Sequence, residues 1–134
     1  MIFKDINAKG RYTYYNYDSR GNMTYMKDAE GNETFYTYDS NGYLVSQTQC
    51  GVTTTYTNDA NGNRLTETRP APANIGGTVT TKYEYDAEGR RIKVTQYYSD
   101  MSMRETRYEY DDMGRQTRVI YPDGLSSITH YDSQ

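Results

Sequence analysis

Tryptophan is absent from this 134-residue sequence, cysteine and histidine occur once each, and proline occurs three times. A single Cys50 excludes an intrachain disulfide, and no base lies near it in sequence to hold a thiolate. With His130 as the one histidine, neither a histidine metal cluster nor a nucleophile–histidine triad can be assembled. Aliphatic residues are scarce too: 3 Leu, 6 Ile and 5 Val, joined by 2 Phe, a poverty that in a highly charged chain would mean disorder. No apolar run approaches the roughly 20 residues of a membrane helix. Lys4, Asp5 and Lys9 interrupt the N-terminal segment where a secretory signal would need an apolar stretch. The sequence therefore reads as a soluble chain without membrane insertion. The net charge of -3 supplies no basic footprint for phosphates, so nucleic acid is not the expected partner. Nor does any segment carry an apolar 3.6-residue period beyond one turn, which excludes an amphipathic helix.

What the chain has instead is tyrosine. Its 17 Tyr each bring a large ring to bury and a hydroxyl that reaches water or a polar partner, and 18 Thr add side chains branched at Cβ that suit a pleated sheet. Many of the tyrosines fall in a recurring pattern, Tyr-x-Tyr-Asp-x-x-Gly. It appears as YNYDSRGN from Tyr15, YTYDSNGY from Tyr36, YTNDANGN from Tyr56, YEYDAEGR from Tyr83 and YEYDDMGR from Tyr108, with a partial sixth copy, ITHYD, from Ile128. Successive aspartates (Asp18, Asp39, Asp59, Asp86, Asp111 and Asp132) lie 21, 20, 27, 25 and 21 residues apart. The two longer intervals mark insertions.

The motif is conformational chemistry. Tyrosines two residues apart share one face of a strand: Tyr15 and Tyr17, Tyr36 and Tyr38, Tyr83 and Tyr85, Tyr108 and Tyr110, with Tyr56 alone in the third copy because Asn58 replaces its second tyrosine. Asp opens a turn by accepting hydrogen bonds from backbone amides ahead of it, and Gly three residues later takes the positive φ that closes a type I turn with a bulge. The predicted turn residues are Asp18 and Gly21, Asp39 and Gly42, Asp59 and Gly62, Asp86 and Gly89, and Asp111 and Gly114. An extended segment returns after each Gly, so each repeat supplies about two strands. Asp28-Ala-Glu-Gly31, Cys50-Gly51 and Pro122-Asp123-Gly124 connect one repeat to the next.

These features predict one all-β domain over 1–134, with repeats near 12–35, 36–55, 56–82, 83–107 and 108–127, a partial one at 128–134, and a Pro/Gly loop at 67–79 acting as an extended loop or soft hinge, the alternative being a boundary there between two subdomains. A lone hairpin of this kind cannot bury its tyrosines, so the hairpins must stack into one antiparallel, twisted sheet. Open sheet edges invite self-association.

Five tandem copies of Tyr-x-Tyr-Asp-x-x-Gly, running from about Tyr12 to Asp132, resemble the YD repeat, also called the Rhs repeat. That family occurs in bacterial Rhs polymorphic toxins, in the B and C components of insecticidal toxin complexes and in animal teneurins. The resemblance implies a β-sheet spiralling into a hollow shell, which in the bacterial members encloses a toxic C-terminal polypeptide. It also implies a secreted or cell-surface location in a bacterium, as part of a larger protein. Departures from the pattern are Asn58, Ile128 in the first tyrosine position of the sixth copy, and His130 just before Tyr131-Asp132. The chain shows no Rhs-associated core motif, self-cleaving aspartate segment or variable toxin domain.

Catalysis is not expected, and no cofactor or metal is implied. Asp111-Asp112 and the Asp28/Glu30 pair are turn residues or their neighbours before they are acid–base pairs. Asp59-x-Asn61-x-Asn63 imitates the start of a calcium loop, but Arg64 stands where Gly belongs and Pro70 where a bidentate Glu belongs. The expected function is structural: a piece of β-shell or surface scaffold that encloses or displays another polypeptide. The alternative is a carbohydrate-binding module that stacks cell-surface glycan on exposed tyrosines of the ladder. The absence of Trp and the cross-strand fit of the tyrosines weigh against it.

Overall fold

A computed structural model describes residues 2–6 and 10–132. The described residues form strands and turns, with no helix among them. The chain divides into two compact units, Met1–Pro70 and Ala71–Gln134. Unit one contains β1 (Ile2–Ile6), β2 (Tyr12–Tyr17), β3 (Met23–Lys27), β4 (Glu33–Tyr38), β5 (Leu44–Gln49), β6 (Val52–Asn58) and β7 (Arg64–Pro70). Unit two contains β8 (Thr78–Tyr85), β9 (Arg91–Tyr98), β10 (Met103–Tyr110), β11 (Gln116–Ile120) and β12 (Ser126–Ile128). Within each unit every strand pairs antiparallel with the next in sequence, giving a meander. Such local pairing follows from the turn chemistry, since a short turn leaves the returning chain nowhere to pair but alongside.

Every hairpin that turns at a motif Asp carries the same irregularity. The register shifts beside the second motif position, between Asn16 and Tyr17, Thr37 and Tyr38, Thr57 and Asn58, Glu84 and Tyr85, and Glu109 and Tyr110. The residue three places after the Gly is thereby left without a pair: Thr24, Val45, Leu65, Ile92 and Thr117. These are β-bulges, which bend a strand and sharpen its twist. The connecting hairpins keep an unbroken register. Within each unit the bulges therefore recur at one end of the sheet only.

The two faces differ. In unit one, Tyr15, Tyr36 and Tyr56 lie on one face with Met26, Gln47 and Thr54, while the other carries Tyr25, Phe35 and a series of threonines. In unit two, one face holds Tyr83 and Tyr108 opposite Val94 and Val119, and the other is ionic. There Lys93 Nζ lies 2.8 Å from Glu84 and 4.0 Å from Glu105, which also bonds Arg107 at 2.5 Å. Full burial is rare among the described residues: Val79, Thr34, Thr81 and Thr95. Packing is thus carried by cross-strand neighbours, each pair contributing roughly 0.2–1 kcal/mol.

The irregular stretch between β7 and β8 is narrower than the sequence suggests. β7 runs through Pro70 and β8 begins at Thr78. What remains is closed by hydrogen bonds from Ala71 N to Gly77 O at 3.0 Å and from Ile75 N and Gly76 N to Pro72 O at 2.9 Å. Ser99 then ties its end down, its Oγ accepting from Thr78 N and donating to Thr78 O.

Candidate functional site: the stacked Asp turns

The motif turns share one hydrogen-bond pattern. Each Asp N–H donates to the carbonyl four residues on, and each Gly N–H donates back to the Asp carbonyl at 3.0–3.1 Å. One carboxylate oxygen accepts two amides at 2.9–3.0 Å: Arg20 and Asn22 for Asp18, Asn41 and Tyr43 for Asp39, Asn61 and Asn63 for Asp59, Glu88 and Arg90 for Asp86, and Met113 and Arg115 for Asp111. The other oxygen takes the side chain after the Gly in four of the five: Asn22, Asn63, Arg90 and Arg115. The five glycines have φ between 81° and 87°, where a Cβ would be strained.

These contacts set the electrostatics. The Asn63 side-chain amide, then its backbone amide, hold the Asp59 carboxyl below the usual carboxylate range. For Asp18 and Asp111 the largest cause is the backbone N–H of Asn22 and of Arg115, respectively. At Asp86, burial opposes the shift most strongly, and the combined Arg90 bonds outweigh it. Asp28 in the first connecting turn builds the same cage, accepting Glu30 N, Asn32 N and Asn32 Nδ2, and is likewise lowered, first by the Asn32 side chain. Its hairpin nevertheless lacks the bulge.

A second tier of contacts joins one repeat to the next. The strand ladder between repeats stops short of the Asp turns, at Tyr25–Phe35, Ser46–Thr55, Lys93–Arg107 and Arg118–Ile128, the last followed by one backbone bond from Thr129 N to Thr117 O at 2.8 Å. Beyond that point a side chain bridges the gap. Tyr38 Oη donates to Met23 O at 2.6 Å, Tyr110 Oη to Arg91 O at 2.5 Å and Tyr131 Oη to Gln116 O at 2.7 Å. In each case the tyrosine just before the motif Asp reaches the carbonyl two residues after the previous Gly. Asn58, which stands in that position in the third copy, makes the equivalent bond from Nδ2 to Leu44 O at 3.0 Å. The departure in sequence thus preserves the donor.

The turns also touch each other. Arg20 Nη1 donates to Ser40 O at 2.5 Å, and Tyr43 Oη to Ala60 O at 3.4 Å. The guanidinium of Arg90 lies 4.9 Å from the Tyr110 ring centre, and that of Arg115 lies 4.3 Å from Tyr131. Between successive turns remain open grooves, one of about 460 Å³ lined by Asp18, Arg20, Tyr36, Tyr38 and Asp39, another of about 370 Å³ lined by Tyr85, Arg91, Tyr108 and Tyr110.

The arrangement is a set of hydrogen-bonded turn cages joined from one repeat to the next. The Asp59 oxygens are taken by hydrogen-bond donors, which leaves a cation no ready ligand there. Among the described residues no three His, Cys, Asp or Glu gather to hold a metal ion. Glu30 pairs with Arg11 at 3.3 Å, and His130 and Cys50 are exposed. The ladder tyrosines Tyr15, Tyr17, Tyr36, Tyr38, Tyr56, Tyr83, Tyr85, Tyr108 and Tyr110 are half-buried, so their rings are partly covered by neighbours. Sequence reasoning missed three features: the unpaired residue three places after each motif Gly, the side chain after each Gly, and the turn at Ser99–Ser102. In that last turn Met101 adopts φ 70° where other turns place Gly. Asp100 accepting Ser102 N was its one local signal.

Residues 102–126 match the family model of the RHS Repeat. No curated protein matches the chain. Among solved structures, the crystal structure of TcdB2-TccC3-Cdc42 is similar over 83% of this chain and 5% of its own, at 25% identity and a TM-score of 0.69. TcdB2-TccC3 is similar over 83% of this chain and 6% of its own, at 26% identity and a TM-score of 0.69. The Photorhabdus luminescens Tc holotoxin pore gives 81%, 5%, 28% and 0.65 in the same order. The chain spans only a small fraction of these neighbours' length.

Proposed function

We propose that the chain, whose residues 102–126 match the RHS Repeat, is a run of such repeats, also called YD repeats, and serves as a non-catalytic wall segment of a larger bacterial, secreted or surface-displayed β-shell that encloses or displays another polypeptide. The observation that carries this reading is the repeat-to-repeat bridge: in four motifs Tyr38, Asn58, Tyr110 and Tyr131 each donate a hydrogen bond to a carbonyl of the previous repeat beside its bulge. A device of that kind adds hairpins in fixed register without end, which is what a wall requires and a small-molecule enzyme does not. The toxin-complex structures similar to this chain support the assignment.

Strand β12 is three residues long and all three are exposed, the sort of edge that pairs with another strand. Light scattering on the purified chain over a wide concentration range tests the assembly part of the proposal. Association through open edges gives a mass that rises to a discrete oligomer. A concentration-independent monomer refutes self-association and leaves only a role within a longer chain.

A further inference from the structure

Asparagine precedes the motif glycine in two of the five turns, at Asn41-Gly42 and Asn61-Gly62, and nowhere else in the chain does glycine follow asparagine. That dipeptide is reactive. The main-chain nitrogen of the following residue attacks the carbonyl carbon of the asparagine side chain, closing a cyclic succinimide as ammonia leaves. Water then opens the ring at either carbonyl, giving aspartate or isoaspartate. Glycine is the least hindered nucleophile for this step, because it has no Cβ. Asn41 and Asn61 are both exposed, so water reaches them.

The nitrogen that must attack is the one the turn holds. Gly42 N–H donates to Asp39 O at 3.0 Å, and Gly62 N–H to Asp59 O at 3.1 Å. Each nitrogen has to leave that bond and lose its proton before it attacks, so the reaction draws on the opened turn and its rate follows the local opening equilibrium.

The two turns are not held equally. One Asp59 oxygen accepts Asn61 N and Asn63 N at 2.9 Å, and the other accepts Asn63 Nδ2 at 3.0 Å. One Asp39 oxygen likewise accepts Asn41 N and Tyr43 N at 2.9 Å. Tyr43 supplies no counterpart to the Asn63 side-chain donor, because its hydroxyl donates forward to Ala60 O in the next turn. Its ring also covers that next turn. A Cβ placed on Gly62 would meet Tyr43 Cε1 at 2.8 Å, whereas one on Gly42 would meet nothing nearer than Asn22 Nδ2 at 4.0 Å. Tyr43 thus braces the Asn61 turn while leaving its own turn with one bond fewer.

We propose that Asn41 is a site of spontaneous succinimide-mediated modification, converted to isoaspartate and aspartate ahead of Asn61, and that its conversion releases Asn61 to follow. The bond formed is from Gly42 N to Asn41 Cγ, ammonia carries off the side-chain nitrogen, and hydrolysis adds one water; no oxidant or reductant takes part. Isoaspartate inserts a methylene into the main chain before Gly42, so Tyr43 N no longer meets the Asp39 carboxylate and the Tyr43 ring is drawn away from Gly62. The site is independent of the wall role.

Incubating the purified 134-residue chain in mildly alkaline buffer, with timed peptide mapping by fragmentation mass spectrometry, tests it. Both sites fall in one tryptic peptide, Asp28 to Arg64, so doubly converted molecules are counted directly. Isoaspartate should accumulate at Asn41 several-fold faster than at Asn61, and Asn61 should react faster in molecules already converted at Asn41. In urea, where the turns are lost, both sites should react faster and at equal rates. Asn63→Ser, which removes the third donor to Asp59, and Tyr43→Leu, which uncovers Gly62, should each raise the Asn61 rate several-fold, with circular dichroism reporting an intact sheet. Asn41→Ser should abolish the late acceleration at Asn61. The proposal is overturned if the two sites convert at equal rates in the folded chain, if Asn61 leads, if the same ratio persists in urea, or if Asn41 converts no faster than Asn32 and Asn58, which lack a following glycine. Double conversion at only the product of the single frequencies overturns the coupling.

Discussion

Removing one hydroxyl from Tyr38 isolates the contact that joins repeat to repeat. Tyr38→Phe keeps the ring, its half-buried packing and the strand register, and deletes only the 2.6 Å bond to Met23 O. That carbonyl sits beside the bulged Thr24, past the last ladder pair with the neighbouring repeat. Loss of a hydrogen bond of this kind costs about 1 kcal/mol, toward the lower end where water can reach the carbonyl. In a chain of this length that corresponds to a melting temperature lower by roughly 3–5 °C. Tyr36→Phe is the internal control. Its ring lies on the same face two residues away, and it should melt close to the parent. Thermal denaturation followed by circular dichroism reads both. Tyr110→Phe in the other unit removes the equivalent bond to Arg91 O, and its effect should add to that of Tyr38→Phe. If Tyr38→Phe and Tyr36→Phe melt together, the hydroxyl bridge is a bystander and the repeats are held by ladder and ring packing alone.

Other expectations concern the turns. Gly62→Ala and Gly89→Ala both force a Cβ into positive φ, at about 1–2 kcal/mol each. Gly62→Ala should cost more, because its Cβ meets the Tyr43 ring at 2.8 Å while Gly89 faces open space, and equal denaturation midpoints would contradict this. Replacing Gly77 by Ala should free the Ala71–Gly77 loop, since the new Cβ meets Ser99 Oγ, which anchors Thr78; faster proteolytic cleavage in that loop is the readout. The pH dependence follows from the caged carboxylates. Asp18, Asp28, Asp59, Asp86 and Asp111 have folded pKa values below their unfolded ones, so their stabilisation is complete above the unfolded value and disappears as pH falls through the folded values. Melting temperature should be flat from neutral pH down to about pH 5 and drop below about pH 4. A profile that stays flat into that acid range would remove the carboxylate cages from the account.

The fold was legible because its decisive signals are local. A motif Asp and the Gly three residues on lie within one turn, and their hydrogen bonds need no distant partner, so hairpin order and meander topology follow from spacing alone. The connecting turns at Asp28–Gly31 and Cys50–Gly51 are legible for the same reason, with both central residues of the latter at positive φ, 52° and 79°. Met101 was not, because methionine carries no preference for the φ of 70° that its turn imposes. The strand bulges three residues past each motif Gly were not legible either. Thr24, Val45, Leu65, Ile92 and Thr117 share a position but no chemistry, and a bulge exists only relative to the strand across from it.

Asn58 shows where the boundary lies. In sequence it is a broken motif; in the structure it donates to Leu44 O, the same acceptor position that tyrosine serves in other repeats. Its equivalence depends on how closely a neighbouring repeat approaches, a distance no single segment encodes. Phe35 is similar, an ordinary strand residue until the register brings Tyr25, Thr48 and Glu33 around it. The amino-acid sequence by itself determined the hairpins, their order and the positions of their turns, because those rest on hydrogen bonds within a few residues. Tertiary structure alone decided the bridges between repeats, the exposed aromatic and the chemistry of each face, because those arise from side chains about 15–20 residues apart in sequence that meet only when neighbouring strands are held in register.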